Sequence, residues 1–456
     1  MNRDLDLTVA LFPGQGAYRA GVLAGHWERG SDAVRDTFEV VDAVAKERLG
    51  RDVSSTLFRP SPPTPAALLE QAPDVLQLAV FATSVATHRL LAEQGARPSV
   101  LLGHSLGEIA ALTCAGAYDL ADAAAVLCER IAVVRDHAGD AGSMLALRCG
   151  RERAQRLVEL IDRPTLVVAV DNADDQTVVS GPADAIGTAD AVARQLGITA
   201  TPLRSPHPFH NPLLARARRE LADRIGGFRR RPADVPVYSP ILGRFYRDGD
   251  DLAELLSLHL VTPVEFRASV AALYAAGART FVEAGAGQVL TSLVAEAHPG
   301  VHTVAPLAGR DETAGLAAAV GALRATSPGS AVVVPAPVTE TVPAEPVLSG
   351  VTAAPATSPG APAPAAVDRD ALASQVRTVY AEAMEYPEEI FTDDVLLEAD
   401  LGVDSVKQTE LLSRLGDRFG LGRPPEGLRV ADYDTFGKVV DFVASGVTDG
   451  AGAGTR

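Results

Sequence analysis

Very little in this chain points to a nucleic acid, a membrane or an oxidising compartment. It holds only three cysteines, Cys114, Cys128 and Cys149, in 456 residues. Their spacing gives neither a disulfide framework nor a metal-ligand pattern, so the thiols read as small core residues of a reducing compartment. Basic residues are in deficit, with a net charge of −17, which argues against nucleic acid and against an anionic membrane surface. No apolar run approaches the ~20 residues that span a bilayer. The opening Met1-Asn2-Arg3-Asp4-Leu5-Asp6 is too polar for a signal peptide. The expectation is a soluble cytoplasmic protein with no membrane, nucleic-acid or metal partner. Apolar residues, by contrast, make up 47% of the chain and charged ones 22%, enough for two or three domains with sizeable cores.

The most informative stretch is Gly103-His104-Ser105-Leu106-Gly107-Glu108. The apolar run Pro98 to Leu102 precedes it and a helix-favouring run, Ile109 to Ala115, follows. A strand, a tight turn with serine at its apex and a helix form a nucleophile elbow. Glycines on both sides permit the strained backbone and a close helix–strand approach. The hydroxyl then stands at a helix N-terminus, where developing negative charge is favoured. A chance Gly-x-Ser-x-Gly in a Gly- and Ala-rich chain is the competing explanation, and the flanking elements weigh against it.

In chain order, Leu7 to Phe12 reads as a strand running into Pro13-Gly14-Gln15-Gly16, a turn that either aims N–H groups into a site or merely ends the strand. Residues 27–60 read as charged helices, and Asp74 to Gly95 as a long amphipathic helix carrying a structural or surface His88. Helices alternating with apolar strands indicate an α/β domain with a largely parallel sheet. Arg130 lies among apolar neighbours on the helix Asp119 to His137. Residues 143–205 give the order βαββαβ, a ferredoxin-like insertion. Asn172 closes the first strand of its central pair, where a turn role is the plain alternative. His207-Pro208-Phe209-His210 follows. A His-x-x-His pair could bind metal, but no Cys or carboxylate cluster supports it. A general base for Ser105 fits better, because a serine hydroxyl is a poor nucleophile until its proton is taken. Carboxylates are too plentiful for spacing to select a third triad member. Ala284-Gly285-Ala286-Gly287-Gln288 imitates a phosphate loop without its lysine or spacing, and packing explains it better.

Beyond 324 the composition changes. Residues 325–367 form an Ala/Pro-rich, semi-rigid linker. Residues 368–445 read as a small all-helical domain with seventeen acidic and eight basic residues. Within it Asp404 suits an N-cap and Ser405 stands exposed at a helix start, read as a modification site in preference to a second capping serine. Residues 446–456 are expected to be a disordered tail.

Taken together these motifs are similar to a known family. Residues 5 to about 320 resemble the malonyl-CoA:acyl carrier protein acyltransferases of fatty acid and polyketide synthases. The matching segments, in order, are Phe12 to Gly16, Gly103 to Glu108, Arg130, Asn172, His207 to His210, Pro263-Val264-Glu265-Phe266 and Gly285 to Leu290. Residues 370–445 resemble an acyl carrier protein with Asp404-Ser405 at its attachment point. The resemblance implies an α/β-hydrolase-like large subdomain (within 1–324) with a ferredoxin-like insertion (143–205), followed by a four-helix carrier. A free-standing didomain is expected, with no ketosynthase before it. The activity implied is that of an [acyl-carrier-protein] S-malonyltransferase. Ser105 would be the nucleophile, His210 its base, and the main-chain carbonyl of Glu265 the group orienting His210. The N–H groups of Gln15 and Leu106 would form the oxyanion hole. Arg130 would hold the malonyl carboxylate, with His104, Asn172 and Phe209 lining the pocket. Ser405 would carry 4′-phosphopantetheine. The implied partners are malonyl-CoA or a related acyl-CoA, a carrier domain in cis or trans, a phosphopantetheinyl transferase and a ketosynthase.

Two positions depart from the pattern. Malonyl-selective members usually carry Ala where Pro208 stands, which leaves substituted malonyl units open, although the bulk of Phe209 and the presence of Leu106 favour malonyl. The late turn has Ala286 where Gly-Pro-Gly is usual. The alternatives weighed are an editing acyl hydrolase of the same fold, a generic serine esterase, and a silent transferase domain serving as a docking platform. Arg130 argues against the first, the ferredoxin-like insertion and tethered carrier against the second, and the intact set Ser105, His210 and Arg130 against the third.

Overall fold

A computed structural model of the chain describes residues 7–138, 142–205 and 207–325, then 369–384, short pieces between 391 and 419, and 435–452. The chain divides into two compact units on either side of residues 340 and 341. The strands are β1 (Leu7–Phe12), β2 (Val100–Gly103), β3 (Ser143–Leu147), β4 (Val167–Ala173), β5 (Gln176–Gly181), β6 (Ala200–Leu203), β7 (Val237–Ser239), β8 (Arg244–Phe245), β9 (Val264–Glu265), β10 (Ala278–Glu283) and β11 (His302–Val304).

The larger sheet has the order β11-β10-β1-β2-β7-β8 and is parallel throughout except for β7–β8. Its central strands are buried end to end, Val9 to Phe12 in β1 and Val100 to Leu102 in β2. This is the near-continuous apolar run of a parallel strand covered on both faces. Phe12 pairs with Gly103 and Leu11 with Glu283, so β10, β1 and β2 end in line. The Pro13–Gly16 turn, the serine turn and the Ala284–Gln288 turn therefore leave neighbouring strands at the carboxyl edge of one sheet, where parallel α/β sheets bind ligands.

The helix Pro73–Glu93 was expected to be amphipathic. It is instead buried on nearly all faces between the helices Asp32–Leu49 and Gly107–Cys114. By length and apolarity it would cross a bilayer, yet 83% of its most apolar window is buried in the protein core. His88 on this helix packs its ring 6.0 Å from Phe12, and burial pushes its pKa down to about 4.

The smaller sheet has the order β6-β3-β5-β4 expected of a ferredoxin-like unit, antiparallel in its first three pairings. Apolar residues of the helices Arg151–Ile161 and Ala183–Gln195 close its core, with Leu145, Leu157, Val179 and Ile186 all buried. A fifth strand joins this sheet from further along the chain. β9, which comes after His210 in the chain, adds to β4 in parallel through Val170–Val264 and Asp171–Glu265.

The Gly-rich late turn is structural. A Cβ on Gly285 would lie 2.5 Å from Pro13 Cγ, so the glycine lets this turn press against the Pro13–Gly16 turn. The N-terminus of the helix Val289–Ala297 is already occupied by the buried Glu283 carboxylate. That group accepts from Leu290 N at 3.3 Å, from Thr291 N at 2.9 Å and from Thr291 Oγ1 at 2.8 Å. Replacing Glu283 by Ala strands these buried donors and is expected to cost about 2 kcal/mol. Urea unfolding of the variant against wild type measures it, and an unchanged midpoint would remove Glu283 from the helix cap.

The second unit has a core of its own. Leu372, Val376 and Tyr380 from the helix Arg369–Met384 meet Val439, Val440 and Val443 from the helix Phe436–Gly452. Tyr380 sets its ring edge-on to Phe391 and Phe436. Leu411 and Leu415 are buried in the same core. The tail expected to be disordered from 446 is helical as far as Gly452. Once Phe436 to Val443 is nucleated by packing, elongation adds a hydrogen bond for each residue fixed. Residues 326–367 of the proposed linker, the serine Ser405 and residues 453–456 lie outside the described residues.

Candidate active site

The chain reverses sharply after β2. Ser105 has φ 53°, a left-handed conformation that costs a non-glycine residue roughly 1–3 kcal/mol. The flanking glycines are dictated by contact. A Cβ on Gly103 would lie 2.3 Å from the Glu108 backbone, and one on Gly107 would lie 2.0 Å from Phe12 O. The helix Gly107–Cys114 then starts directly behind the serine. The Pro13–Gly16 turn lies against this elbow, since a Cβ on Gly14 would come within 3.1 Å of His104 O. Among the described residues, the N–H groups of Gln15 and Leu106 donate to no backbone acceptor.

Ser105 Oγ is 2.8 Å from His210 Nε2. His210 Nδ1 lies 3.0 Å from the main-chain oxygen of Thr262. A carbonyl only accepts, so Nδ1 carries the proton and Nε2 presents its lone pair to the serine hydroxyl. His210 is 2% exposed and also left-handed, with φ 58°. Burial first, and then the nearby charge of Arg130, pushes its pKa down to about 3. The imidazole is therefore neutral at neutral pH, the state a base needs. Both its nitrogens are engaged within the chain, and His207 sets its ring edge-on to Phe209 at 5.9 Å.

One assignment is corrected. The carbonyl orienting His210 belongs to Thr262, not to Glu265. The Glu265 carbonyl accepts from Ser269 Oγ at 2.7 Å at the start of the helix Phe266–Ala275, and its carboxylate pairs with Arg151 at 2.5 Å. Thr262 precedes a proline, which keeps it out of that helix. Among the described residues no backbone N–H takes its oxygen.

Arg130 is 3% exposed. Its Nη1 donates to Gln77 Oε1 at 2.6 Å, and its guanidinium lies 4.8 Å from the centre of the Phe209 ring. Its Nε is buried and has no partner among the described residues, and no carboxylate pairs with it there. Burial lowers its pKa to about 10, which still leaves it a cation at neutral pH. A buried cation held by a neutral amide and an aromatic face is poised to take an anion from outside the chain. Gln77 was missed in the sequence, where it sat unmarked in an apolar helix.

The small subdomain supplies the facing wall. Asn172 Oδ1 is 2.9 Å from His104 Nε2, and its Nδ2 donates to Gln176 Oε1 at 2.9 Å. The His104 ring also packs edge-on to Phe266. Beneath the serine, the buried Glu108 accepts from Tyr246 OH at 2.8 Å and lies 3.3 Å from His259 Nε2. This carboxylate anchors the elbow helix to the segment leading to Thr262, so it is unavailable as a catalytic acid.

The structure thus gathers Ser105, His210, Gln15, Leu106, Arg130, His104, Asn172 and Phe209 around one cleft. Residues 9–331 match the acyl transferase domain model, and residues 374–443 match the phosphopantetheine attachment site model.

The chain belongs to the acyl transferase domain family.

Its carrier segment places it with proteins that bind 4′-phosphopantetheine covalently. The malonyl CoA-acyl carrier protein transacylase of Bacillus subtilis is 31% identical over 301 residues, covering 65% of this chain and 92% of that protein. The spectinabilin polyketide synthase system protein NorB of Streptomyces orinoci is 33% identical over 287 residues, 62% of this chain. The match spans 13% of NorB, and it spans 4% of the polyketide synthase GfsA of Streptomyces halstedii. Among solved structures, MCAT of Streptococcus pneumoniae superposes with a TM-score of 0.60 at 28% identity, covering 69% of this chain and 99% of that one. The acyltransferase domain of an iterative polyketide synthase of enediyne biosynthesis is 32% identical with a TM-score of 0.54, covering 71% of each chain.

Proposed function

We propose that residues 1–324 transfer a malonyl group from coenzyme A, through an ester on Ser105, to the thiol of an acyl carrier domain. The observation that carries this reading is Arg130, a buried cation beside a serine–histidine dyad that pairs with no carboxylate among the described residues. A malonyl thioester has a free carboxylate at the distance of one small acyl group from its reacting carbonyl. The guanidinium fork holds it directionally, while Phe209 bounds the pocket.

Binding sets the thioester oxygen toward the N–H groups of Gln15 and Leu106. His210 Nε2 takes the Ser105 proton as Oγ attacks the carbonyl. Preorganised donors at the developing oxyanion are commonly worth about 3 kcal/mol each. The intermediate collapses with cleavage of the C–S bond, and His210 returns the proton to the departing thiolate. Malonyl-Ser105 remains, its carboxylate still on Arg130, which keeps the acyl group in place. The Thr262 carbonyl steadies the imidazolium in each half-reaction.

For the carrier, we propose Ser405 as the attachment residue, modified by a phosphopantetheinyl transferase. The cofactor supplies the acceptor thiol on a long flexible arm. His210 Nε2 would take the thiol proton as the sulfur attacks the malonyl ester carbonyl, and would return it to Ser105 Oγ as the C–O bond breaks. The loaded carrier would then feed a ketosynthase, in polyketide or fatty acid synthesis.

Intact-protein mass spectrometry of the phosphopantetheinylated chain tests this after brief exposure to malonyl-CoA. Malonate is expected at two sites in wild type, at one in Ser405→Ala and at none in Ser105→Ala. If Ser105→Ala is labelled as fully as wild type, the acyl-serine pathway is wrong.

A further inference from the structure

The base stands on a backbone kink, and something must hold that kink. His210 is left-handed without being glycine, and such conformations persist only where the surroundings over-determine them. The next residue, Asn211, is fully buried. Its Nδ2 donates to Thr165 O, Ser180 O and Ser180 Oγ, each at 3.0 Å. Its Oδ1 accepts from Leu213 N at 2.9 Å. Three oxygens facing one end of the amide and an N–H facing the other fix which end is which. Its backbone N–H donates to Leu260 O at 3.0 Å, on the same turn whose Thr262 oxygen holds His210 Nδ1.

Thr165 and Ser180 both belong to the inserted small subdomain. Thr165 lies just before β4, and Ser180 is on β5, paired with Val167 of β4 and Met144 of β3. Asn211 therefore joins three parts of the site: the insertion, the base and the turn that orients the base. We infer that Asn211 is a positioning residue through which the small subdomain sets the alignment of His210 on Ser105. In this view the insertion does more than wall the cleft, because the serine from one subdomain works with a histidine registered against the other.

The inference rests on the serine–histidine reading above, and the test separates the two. The rate at which a fluorophosphonate probe labels Ser105 reports base alignment without involving Arg130 or malonate. Labelling replaces the P–F bond by a P–O bond to Ser105, with fluoride leaving and His210 taking the proton. Wild type, Ser105→Ala, Asn211→Ala, Asn211→Ser and Ser180→Ala are compared, each with a thermal unfolding midpoint. Ser180→Ala removes one acceptor and leaves one carbonyl for each N–H of the amide. Asn211→Ala is expected to label ~10- to 100-fold slower than wild type, the scale of loss for a misplacement near 1 Å. Ser180→Ala is expected to lose thermal stability yet label within about threefold of wild type. In malonyl transfer, Asn211→Ala should lower kcat by the same factor as labelling, with KM for malonyl-CoA within about threefold because Arg130 is untouched. Asn211→Ser keeps an acceptor for Leu213 N but loses both amide N–H groups, and its shorter side chain has a single hydroxyl in their place. It should behave like the alanine variant, and it stands in if that one does not fold.

Wild-type labelling rates in a folded Asn211→Ala or Asn211→Ser would overturn the inference. So would losses in Asn211→Ala and Ser180→Ala that simply track their unfolding midpoints. If wild type itself is not labelled at Ser105, the dyad reading falls.

Discussion

Arg130→Ala is expected to lower kcat/KM for malonyl-CoA by ~10²- to 10³-fold while acetyl transfer changes little or improves relative to malonyl. Truncating one partner of a buried, hydrogen-bonded charge pair costs about 2–5 kcal/mol, and each 1.4 kcal/mol is tenfold. The acetyl group has no carboxylate to lose. Arg130→Lys should fall between the two. It keeps a charge but gives up the planar fork and the stacking on Phe209, and its shorter reach leaves Gln77 Oε1 without its 2.6 Å partner. Acylation of Ser105 by malonyl-CoA and acetyl-CoA, followed by intact mass, gives the ratio directly. Unchanged malonyl loading in a folded Arg130→Ala would refute the carboxylate role.

His210→Ala should reduce acylation by ~10²- to 10⁴-fold, the range for loss of a positioned general base. The pH profile carries more information. A base works when deprotonated, and the free-enzyme pKa of His210 is pushed down to about 3 by burial and by Arg130. The kcat/KM for malonyl-CoA should therefore stay flat as pH falls from 8 to about 5, through the range where an ordinary histidine, near 6.5, loses half its activity. Because Arg130 is the second cause of the shift, the acid limb for acetyl-CoA should move upward in Arg130→Ala. A wild-type limb centred near 6.5 would contradict the burial of the imidazole. The same shift acts on stability. In the unfolded chain His210 protonates below about 6.5, whereas in the fold it stays neutral until about 3. Stability present above 6.5 is therefore lost as pH falls through that window.

The residues whose type decides the chemistry were legible in the sequence. Ser105 announced itself because only glycine fits at 103 and 107, a steric demand that leaves a written pattern. His210 and Arg130 could be named because the chemistry requires those side chains and because the family keeps them in order. The ferredoxin-like order of residues 143–205 was legible because each of its elements has a clean period. The carbonyl orienting His210 was not, since every residue has a carbonyl and only the fold selects Thr262 over Glu265. Gln77 was hidden in a helix buried on almost all sides, where one amide does not disturb the apolar pattern. The role of Asn211 was not legible either, because its partners lie 31 and 46 residues away. β9 is two residues long, below any period a sequence can display.

That short strand matters for recombining such domains. Because β9 extends the smaller sheet from outside residues 143–205, the insertion is not a cassette. Arg267 reaches back from the helix after β9 to the buried Asp171 at 3.0 Å, and Arg151 reaches forward to Glu265, so two ion pairs cross the same seam. A graft cut at 143 and 205 would carry β4 away with its outer edge bare, an invitation to pair with another chain. It would also leave Asp171 buried without its cation in the recipient. A workable chimaera must take the strand at 264–265 and Arg267 along with the insertion, so the natural unit of exchange is discontinuous in the chain.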